Sequence, residues 1–319
     1  MSYSVLIIGL GKIALGFDLD SAQNNIFSHT KAFLSNDAFE LVGGVDVAVE
    51  RRVEFEEYSG KSSFASVDEA FCFCPKIDVI SICTPSDYRL SVFMEILKFN
   101  PKLVLIEKPI ALDLSEALQI KQVAEKHKIK LFVNYIRRVE PYYASLANVF
   151  DGKSTLPSKI IVHYTGGLFT NASHFINLML FYFGRPYSIF TIDVKPLKSD
   201  YSADFIMHYD DFKIIFVGHT DIEYSLGEID IVCLSSRYLI YDWGLRVKTY
   251  ELAADPMFPD LKTLNEAKCQ PSVTMNVYMK HSVDYIQKLL ETGCAGGDLD
   301  DAIVTTEICE YIKNATESA

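Results

Sequence analysis

The sequence predicts two α/β-type domains in tandem. Residues 1–135 read as a doubly wound parallel sheet, and residues 136–319 as an α+β domain built on a large, mainly antiparallel sheet. Three observations predict this. A short apolar run near the N-terminus leads straight into a glycine turn, strand-like and helix-like segments alternate as far as about Tyr135, and beyond it strand-like segments follow one another with few helices between. Alternation calls for right-handed βαβ crossovers and parallel strands, whereas consecutive strands call for antiparallel pairing.

The first strand is Ser4-Val5-Leu6-Ile7-Ile8, and it runs into Gly9-Leu10-Gly11-Lys12-Ile13-Ala14, a G-x-G-x-x-A turn. In this pattern the first glycine permits the tight turn, the second lets backbone approach a pyrophosphate, and a small residue at the end lets the following helix lie close to the strand. The phosphates would meet unpaired N–H groups at that helix start. Phe39 to Val45 reads as the second strand and ends in Asp46, an acceptor suited to ribose hydroxyls. A carboxylate there repels a 2′-phosphate, which favours NAD over NADP. The distance from Gly11 exceeds the usual ~20 residues, so an insertion is expected, seated in the polar stretch Leu15 to Asn25.

Val49 to Tyr58 mixes Glu and Arg and reads as a solvated helix ending near Gly60. Asp78 to Cys83 is a buried strand stopped by Pro85, and Tyr88 to Lys98 is helical. Leu103-Val104-Leu105-Ile106 is the next strand, and Glu107-Lys108-Pro109 follows it. That puts a lysine at the carboxyl edge of a strand, where open α/β sheets bind ligands, and an ammonium there can donate to a substrate oxygen. Asp113 to Lys128 is the clearest helix: Asp113 can cap it, Glu116 sits in the first turn, and Lys126, His127 and Lys128 oppose the negative end of its dipole. Lys130 to Asn134 closes the domain as a strand.

After the boundary, Lys159 to Tyr164 is a strand followed by a helical segment. Further strands are expected at Tyr187–Val194, Ala203–Tyr209, Phe212–Val217, Glu228–Leu234, Tyr238–Asp242 and Leu245–Glu251, with Asp210-Asp211 and Ser235-Ser236-Arg237 as hairpin connections. Helices at Val277–Leu290 and Asp298–Ala315 end the chain and can pack back on the first domain.

With 319 residues, about half of them apolar, the chain can bury the cores of two domains. Its net charge of −12 argues against nucleic acid as a partner. No run approaches the ~18 apolar residues of a membrane span, and the N-terminus lacks a basic region followed by a long apolar stretch, so neither a membrane nor a secretory signal is expected. Seven cysteines, an odd number without framework spacing, suit a reducing cytoplasm. Cys72-Phe73-Cys74 is the only close pair and lacks neighbouring histidines, so no metal site is expected.

Taken in chain order, the first strand, the G-x-G-x-x-A turn, Asp46, Cys83-Thr84-Pro85 and Glu107-Lys108-Pro109 resemble the Gfo/Idh/MocA family of NAD(P)-dependent oxidoreductases, over nearly the whole chain. The resemblance implies a Rossmann first domain that binds NAD through Gly9, Gly11, Lys12, Ile13, Asp46, Thr84, Pro85, Glu107 and Lys108, with Lys108 catalytic between nicotinamide and substrate. It implies a homodimer or homotetramer, because the large sheet of the second domain commonly forms a subunit interface in that family.

Gly166-Gly167-Leu168-Phe169-Thr170-Asn171-Ala172-Ser173-His174 resembles the family's active-site helix. Aligned on the histidine, His174 matches as the second catalytic group. Thr170 stands where the family often has aspartate, Ala172 replaces glycine, and Asn177 replaces a later aspartate. Thr170 is no acid near neutral pH and can only position substrate. Asn171 either bonds substrate or caps the helix. Tyr164 faces the substrate or packs as a strand-ending tyrosine. Arg138, with Arg137, is a candidate for a substrate phosphate or an interdomain salt bridge. Many relatives carry Asn-x-x-His after Thr-Pro, where this chain has Ser86-Asp87-Tyr88-Arg89; Arg89 reads as a solvated first-turn residue, with a bidentate anion contact as the other option. His29 reads as a helix-start residue after the insertion.

The resemblance implies an NAD-dependent oxidoreductase acting on a secondary alcohol or ketone of a sugar, in particular a nucleotide-linked one such as polysaccharide biosynthesis uses. Lys108 would stabilise the alkoxide and His174 relay the proton. The alternative, prompted by Thr170, is a catalytically silent dinucleotide-binding sensor of the same fold.

Overall fold

The computed structural model describes residues 2–19, 24–151, 155–258, 260–293 and 298–315. Six strands, β1 (Tyr3–Ile8), β2 (Phe39–Val45), β3 (Ser62–Phe64), β4 (Val79–Ile82), β5 (Leu103–Ile106) and β6 (Lys130–Val133), form a wholly parallel sheet in the order β3-β2-β1-β4-β5-β6. This is the doubly wound order whose direction reverses between β1 and β4. Alternate side chains of the central strands feed two separate cores. Leu6, Ile8, Ile80, Ile82, Val104 and Ile106 enter one, while Val5, Ile7, Val79, Leu103 and Leu105 enter the other. A sheet covered on both faces favours apolar residues at successive positions, which is why these strands are almost continuous apolar runs, interrupted at Ser4 of β1 and Ser81 of β4.

The crossovers carry α1 (Phe17–Leu19), α2 (His29–Leu34), α3 (Val49–Ser59), α4 (Val67–Phe73), α5 (Arg89–Glu95) and α6 (Leu114–His127). Asp113 caps α6 by accepting from the Ser115 and Glu116 amides, a contact worth about 1 kcal/mol. The helix after the glycine turn is shorter than the fingerprint suggests: a π-helical turn at Lys12–Gly16 runs into α1 and stops. The insertion accounts for this. The buried Asp18 carboxylate accepts from the Phe27 and Ser28 amides, closing the excursion onto α2, and the part of the insertion over residues 20–23 lies outside the described residues.

The second sheet has eight strands: β7 (Pro157–Thr165), β8 (Ser188–Pro196), β9 (Tyr201–His208), β10 (Lys213–His219), β11 (Gly227–Cys233), β12 (Ser236–Tyr241), β13 (Arg246–Ala254) and β14 (Lys262–Glu266). Their order is β14-β13-β12-β11-β7-β10-β9-β8. All neighbours are antiparallel except β7 and β10. Ile160, Val162, Phe205, Met207, Ile214, Phe216, Ile229 and Ile231 are wholly buried on one face. There α7 (Pro141–Phe150) and α8 (Ser173–Phe183) pack, through Phe150 on Tyr182 and Tyr238 and Phe183 on Phe212.

Hairpins β9–β10 and β11–β12 turn at Asp210-Asp211 and at Leu234-Ser235, so Ser236 and Arg237 open β12 rather than belong to the turn. Sequence patterning passes over β3, α4 and β14, which are short or sparsely apolar, and over the ten-residue α7.

Two helices remain, α9 (Tyr278–Thr292) and α10 (Asp298–Asn314). The chain divides into one compact unit of residues through Val139 with Asn276–Thr306, and a second of Glu140–Met275 with residues from Glu307 onward. The second unit is therefore not one continuous stretch from residue 136. Met279, Val283, Ile286 and Leu289 form an apolar stripe at helical spacing on α9, and it packs into the core that holds Val5, Leu103 and Phe132.

Candidate active site

In the first unit the carboxyl ends of β2, β1, β4 and β5 are neighbours, and each delivers one sequence-singled motif: Asp46, the glycine turn, Thr84-Pro85 and Glu107-Lys108-Pro109. Gly9 has φ of +87° and lies where a Cβ would come within 2.9 Å of the Thr84 amide nitrogen, so only glycine fits between β1 and β4. At Gly11 a Cβ would meet nothing nearer than Arg51 Nη1 at 3.8 Å, leaving the turn open on the side a pyrophosphate would approach. Ala14 is wholly buried, as close helix packing requires, while Lys12 is exposed and Ile13 half-buried.

The Asp46 carboxylate accepts from the Leu10 amide at 2.8 Å and the Ala48 amide at 2.9 Å, with Arg51 Nη1 at 3.4 Å. Its position is thus tied to the glycine turn itself. The residues fit NAD: an open glycine turn for the diphosphate and a fixed carboxylate for the ribose.

Behind Lys108 lies a buried polar chain. His29 Nε2 is 2.8 Å from Glu107 Oε1, and a carboxylate only accepts, so this nitrogen donates. The other ring nitrogen meets Ser81 Oγ at 2.8 Å. Asn134 Nδ2 donates to the same Glu107 oxygen at 2.6 Å, and its own oxygen accepts from Ser282 Oγ of α9 at 2.7 Å. Burial alone would pull His29 below its ordinary 6.5, but Cys83 and the Glu107 carboxylate outweigh it and hold the imidazole at about 10. Burial likewise pushes Glu107 up, and the His29 and Asn134 hydrogen bonds with the Arg89 charge bring it below its ordinary value. His29 and Glu107 are therefore a buried ion pair, and His29 is more than the helix-start residue that sequence alone made it.

Arg89 is the second correction. It is 5 % exposed rather than solvated, because its guanidinium turns inward: Nε donates to the Thr84 carbonyl at 3.2 Å and Nη2 to the Lys108 carbonyl at 3.3 Å. Arg138 is also buried, and it faces α10, with Asp301 at 2.7 Å and Asp298 at 3.4 Å. All three belong to the first unit. Those carboxylates balance its charge within the first unit.

In the second unit the Gly166-Gly167 turn leads from β7 through a π-helical turn, Leu168–Ala172, into α8, which carries His174, half-buried, in its first turn. Thr170 Oγ1 accepts from the Gly167 amide at 3.1 Å, a positioning contact. Asn171 neither caps α8 nor stands clear of the backbone: its Nδ2 donates to the Thr165 carbonyl at 2.7 Å, bracing the end of β7. Tyr164 is wholly buried, with its hydroxyl donating to the Ala203 carbonyl and accepting from the Ala203 amide. Burial pushes that phenol up, and Tyr164 packs instead of facing a substrate.

Sequence reasoning missed Asp200, at the β8–β9 turn. Its carboxylate accepts from the Phe169 amide at 3.1 Å, the Thr170 amide at 2.9 Å and its neighbour Tyr201 at 2.7 Å. It crowds Gly167 so closely that a Cβ there would fall on it. A carboxylate thus reaches the turn before His174, although position 170 carries none. Nothing in the spacing of Asp200 from His174 signals this.

Among the described residues no group of three or more His, Cys, Asp or Glu side chains is placed to hold a metal ion, and no helix is long and apolar enough to cross a membrane. The family model for the Gfo/Idh/MocA oxidoreductases, NAD-binding Rossmann fold, matches residues 3–135. No curated protein sequence matches the chain. Similar solved structures include a UDP-N-acetylglucosamine 3-dehydrogenase from Acidithiobacillus ferrooxidans, 16% identical with a TM-score of 0.79 over 98% of this chain and 96% of that one. A dehydrogenase from Clostridium difficile is 16% identical with a TM-score of 0.77, over 99% and 100%. An oxidoreductase from Agrobacterium radiobacter in complex with NAD+, L-tartaric acid and magnesium is 15% identical with a TM-score of 0.72, over 97% and 95%. At these identities the structural likeness is one of fold, and the family rests on the first domain. Residues 3–135 thus match the NAD-binding Rossmann domain of the Gfo/Idh/MocA oxidoreductases, and it is that domain which the comparison identifies.

Proposed function

We propose that the protein is an NAD-dependent dehydrogenase or reductase that moves hydride between nicotinamide and a secondary alcohol or ketone of a sugar, with nucleotide-linked sugars as the first class to test. The observation that carries this proposal is Lys108 at the end of β5, on the same sheet edge as the open glycine turn, with its neighbour Glu107 locked in a buried ion pair. An ammonium held on such a base suits the oxyanion that forms when the hydroxyl gives up its proton ahead of hydride loss, or, in the reverse direction, when hydride reaches the ketone. His174 is the second proton-transfer group, an imidazole whose ordinary pKa range suits the task. Bound NAD supplies the hydride chemistry itself; the chain orients and supplies charge. The likeness to a UDP-sugar dehydrogenase supports the substrate class by analogy of fold.

We read the protein as a homodimer or homotetramer joined through the open face of the eight-stranded sheet. Phe190 and Ile192 of β8 are exposed at one end of it, and Arg237 is paired with Asp230 in the same layer. Six free cysteines among the described residues support a reducing cytoplasm. Incubation with NAD and a panel of sugars and nucleotide sugars should produce the absorbance of reduced nicotinamide. Lys108→Ala should cut that turnover by about 10²-fold or more with NAD binding retained. Full activity in that variant removes Lys108 from the chemistry. Tight NAD binding without turnover on any substrate would favour the silent sensor.

A further inference from the structure

We infer that Arg89 is a positioning residue that fixes the backbone under Lys108, a deeper claim that rests on Lys108 being the reacting amine. Beyond the last residues of β4 and β5 the ladder between the two strands ends, and the carbonyls of Thr84 and Lys108 need other donors. Arg89 supplies both from one planar group, Nε to Thr84 and Nη2 to Lys108. An imidazole has two ring nitrogens on a short stem, whereas a guanidinium offers five N–H donors in a rigid fork and keeps its charge at every working pH. Its cation also lies among the charges that hold Glu107 below the ordinary carboxylate range. The lysine is therefore gripped from two sides. Glu107 is anchored by His29 and Asn134 on its amino side, and the Lys108 carbonyl is anchored by Arg89.

The grip has two separable parts, fork and charge, and two variants separate them. Arg89→Lys keeps the charge without the fork, and Arg89→Met keeps length with neither. Both are compared with wild type in the full chain with NAD present, by acetic anhydride labelling of Lys108 across a pH series and by hydrogen exchange of the peptide containing Glu107 to Ala111. In both variants exchange in that peptide should quicken about tenfold, the loss of one buried hydrogen bond at about 1.4 kcal/mol.

In Arg89→Met the pH midpoint of Lys108 labelling should also rise by about 0.5, since removing a nearby cation and leaving Glu107 less compensated both favour the ammonium; in Arg89→Lys it should stay in place. Labelling and exchange curves that superpose on wild type in folded variants would overturn the inference, even with a lower Tm, because Arg89 would then only pack α5. If Arg89→Met does not fold, unchanged exchange in Arg89→Lys overturns it alone. Full turnover in Lys108→Ala would sink the assignment of Lys108, while the labelling and exchange results would still decide whether Arg89 holds its backbone.

Discussion

The lysine and the histidine stand on differently built ground. Lys108 follows a residue held by charge: Glu107 is buried in contact with His29, Asn134 and the field of Arg89, partners drawn from remote parts of the chain. His174 follows a turn held by backbone: Thr170 and Asn171 each bond a nearby main-chain group, and Asp200 gathers three amides at a half-buried site. A buried ion pair is costly to break because the surviving partner keeps its charge without compensation. A cap on half-buried amides is cheaper to break because water can take its place. The first unit should therefore respond to single substitutions mainly in stability, and the second mainly in the alignment of α8.

The sharpest way to break that contrast is Glu107→Ala. It strands His29 and Arg89 without their anion, and the expected loss is about 3–5 kcal/mol of unfolding free energy. Urea unfolding reads it directly. A loss no larger than that of the corresponding Asp200 variant would erase the distinction.

Next in size is the pH response of the His29–Glu107 pair. The folded His29 sits near 10 against 6.5 unfolded, so the folded state binds the extra proton. That contribution is fully present below pH 6.5 and is lost as pH rises toward about 10. Urea midpoints taken between pH 6.5 and 10 should fall for wild type by an amount worth several kcal/mol, and much less for His29→Gln, which has no proton to lose. Parallel curves for the two proteins would mean that His29 is neutral when folded.

What was legible in the sequence follows the same divide between local and remote. The glycine turn, Asp46 and Glu107-Lys108-Pro109 are written in consecutive residues whose roles come from neighbours in the chain, and the strands that carry them are mostly apolar, β5 without a break. His29 meets Glu107 only after the sheet brings α2 and β5 together, so no spacing announces it. Patterning assigns a charged residue such as Arg89 to the solvated outside of a helix, and it cannot see two carbonyls left over at the end of a ladder. Asp200 belongs to a β8–β9 turn that looks like any polar turn. α9 followed the helical period well, yet period says nothing of which core the stripe will enter.

Asp200→Asn is a smaller perturbation. The amide keeps the shape but loses the anion and half of the acceptor capacity, and the expected cost is about 1 kcal/mol. If Asp200 aligns α8, turnover should fall more than stability predicts, with cofactor affinity unchanged, and Thr170→Ala should act in the same direction through the lost Gly167 contact. An unchanged turnover at lowered stability would reduce Asp200 to a cap.

Gly11→Ala should move stability least, and it tests the open side of the cofactor turn. The added methyl would meet only the flexible end of Arg51, φ at Gly11 is −75° and suits any residue, and the change in unfolding free energy should stay within about 0.5 kcal/mol. Yet the same methyl would occupy the space through which backbone approaches a pyrophosphate, so NAD affinity, read by titration, should fall about tenfold or more. A protein that keeps both its stability and its NAD affinity would show that the diphosphate does not cross this glycine. The stabilising network behind Lys108 would then be intact on a sheet edge that binds its cofactor by another route.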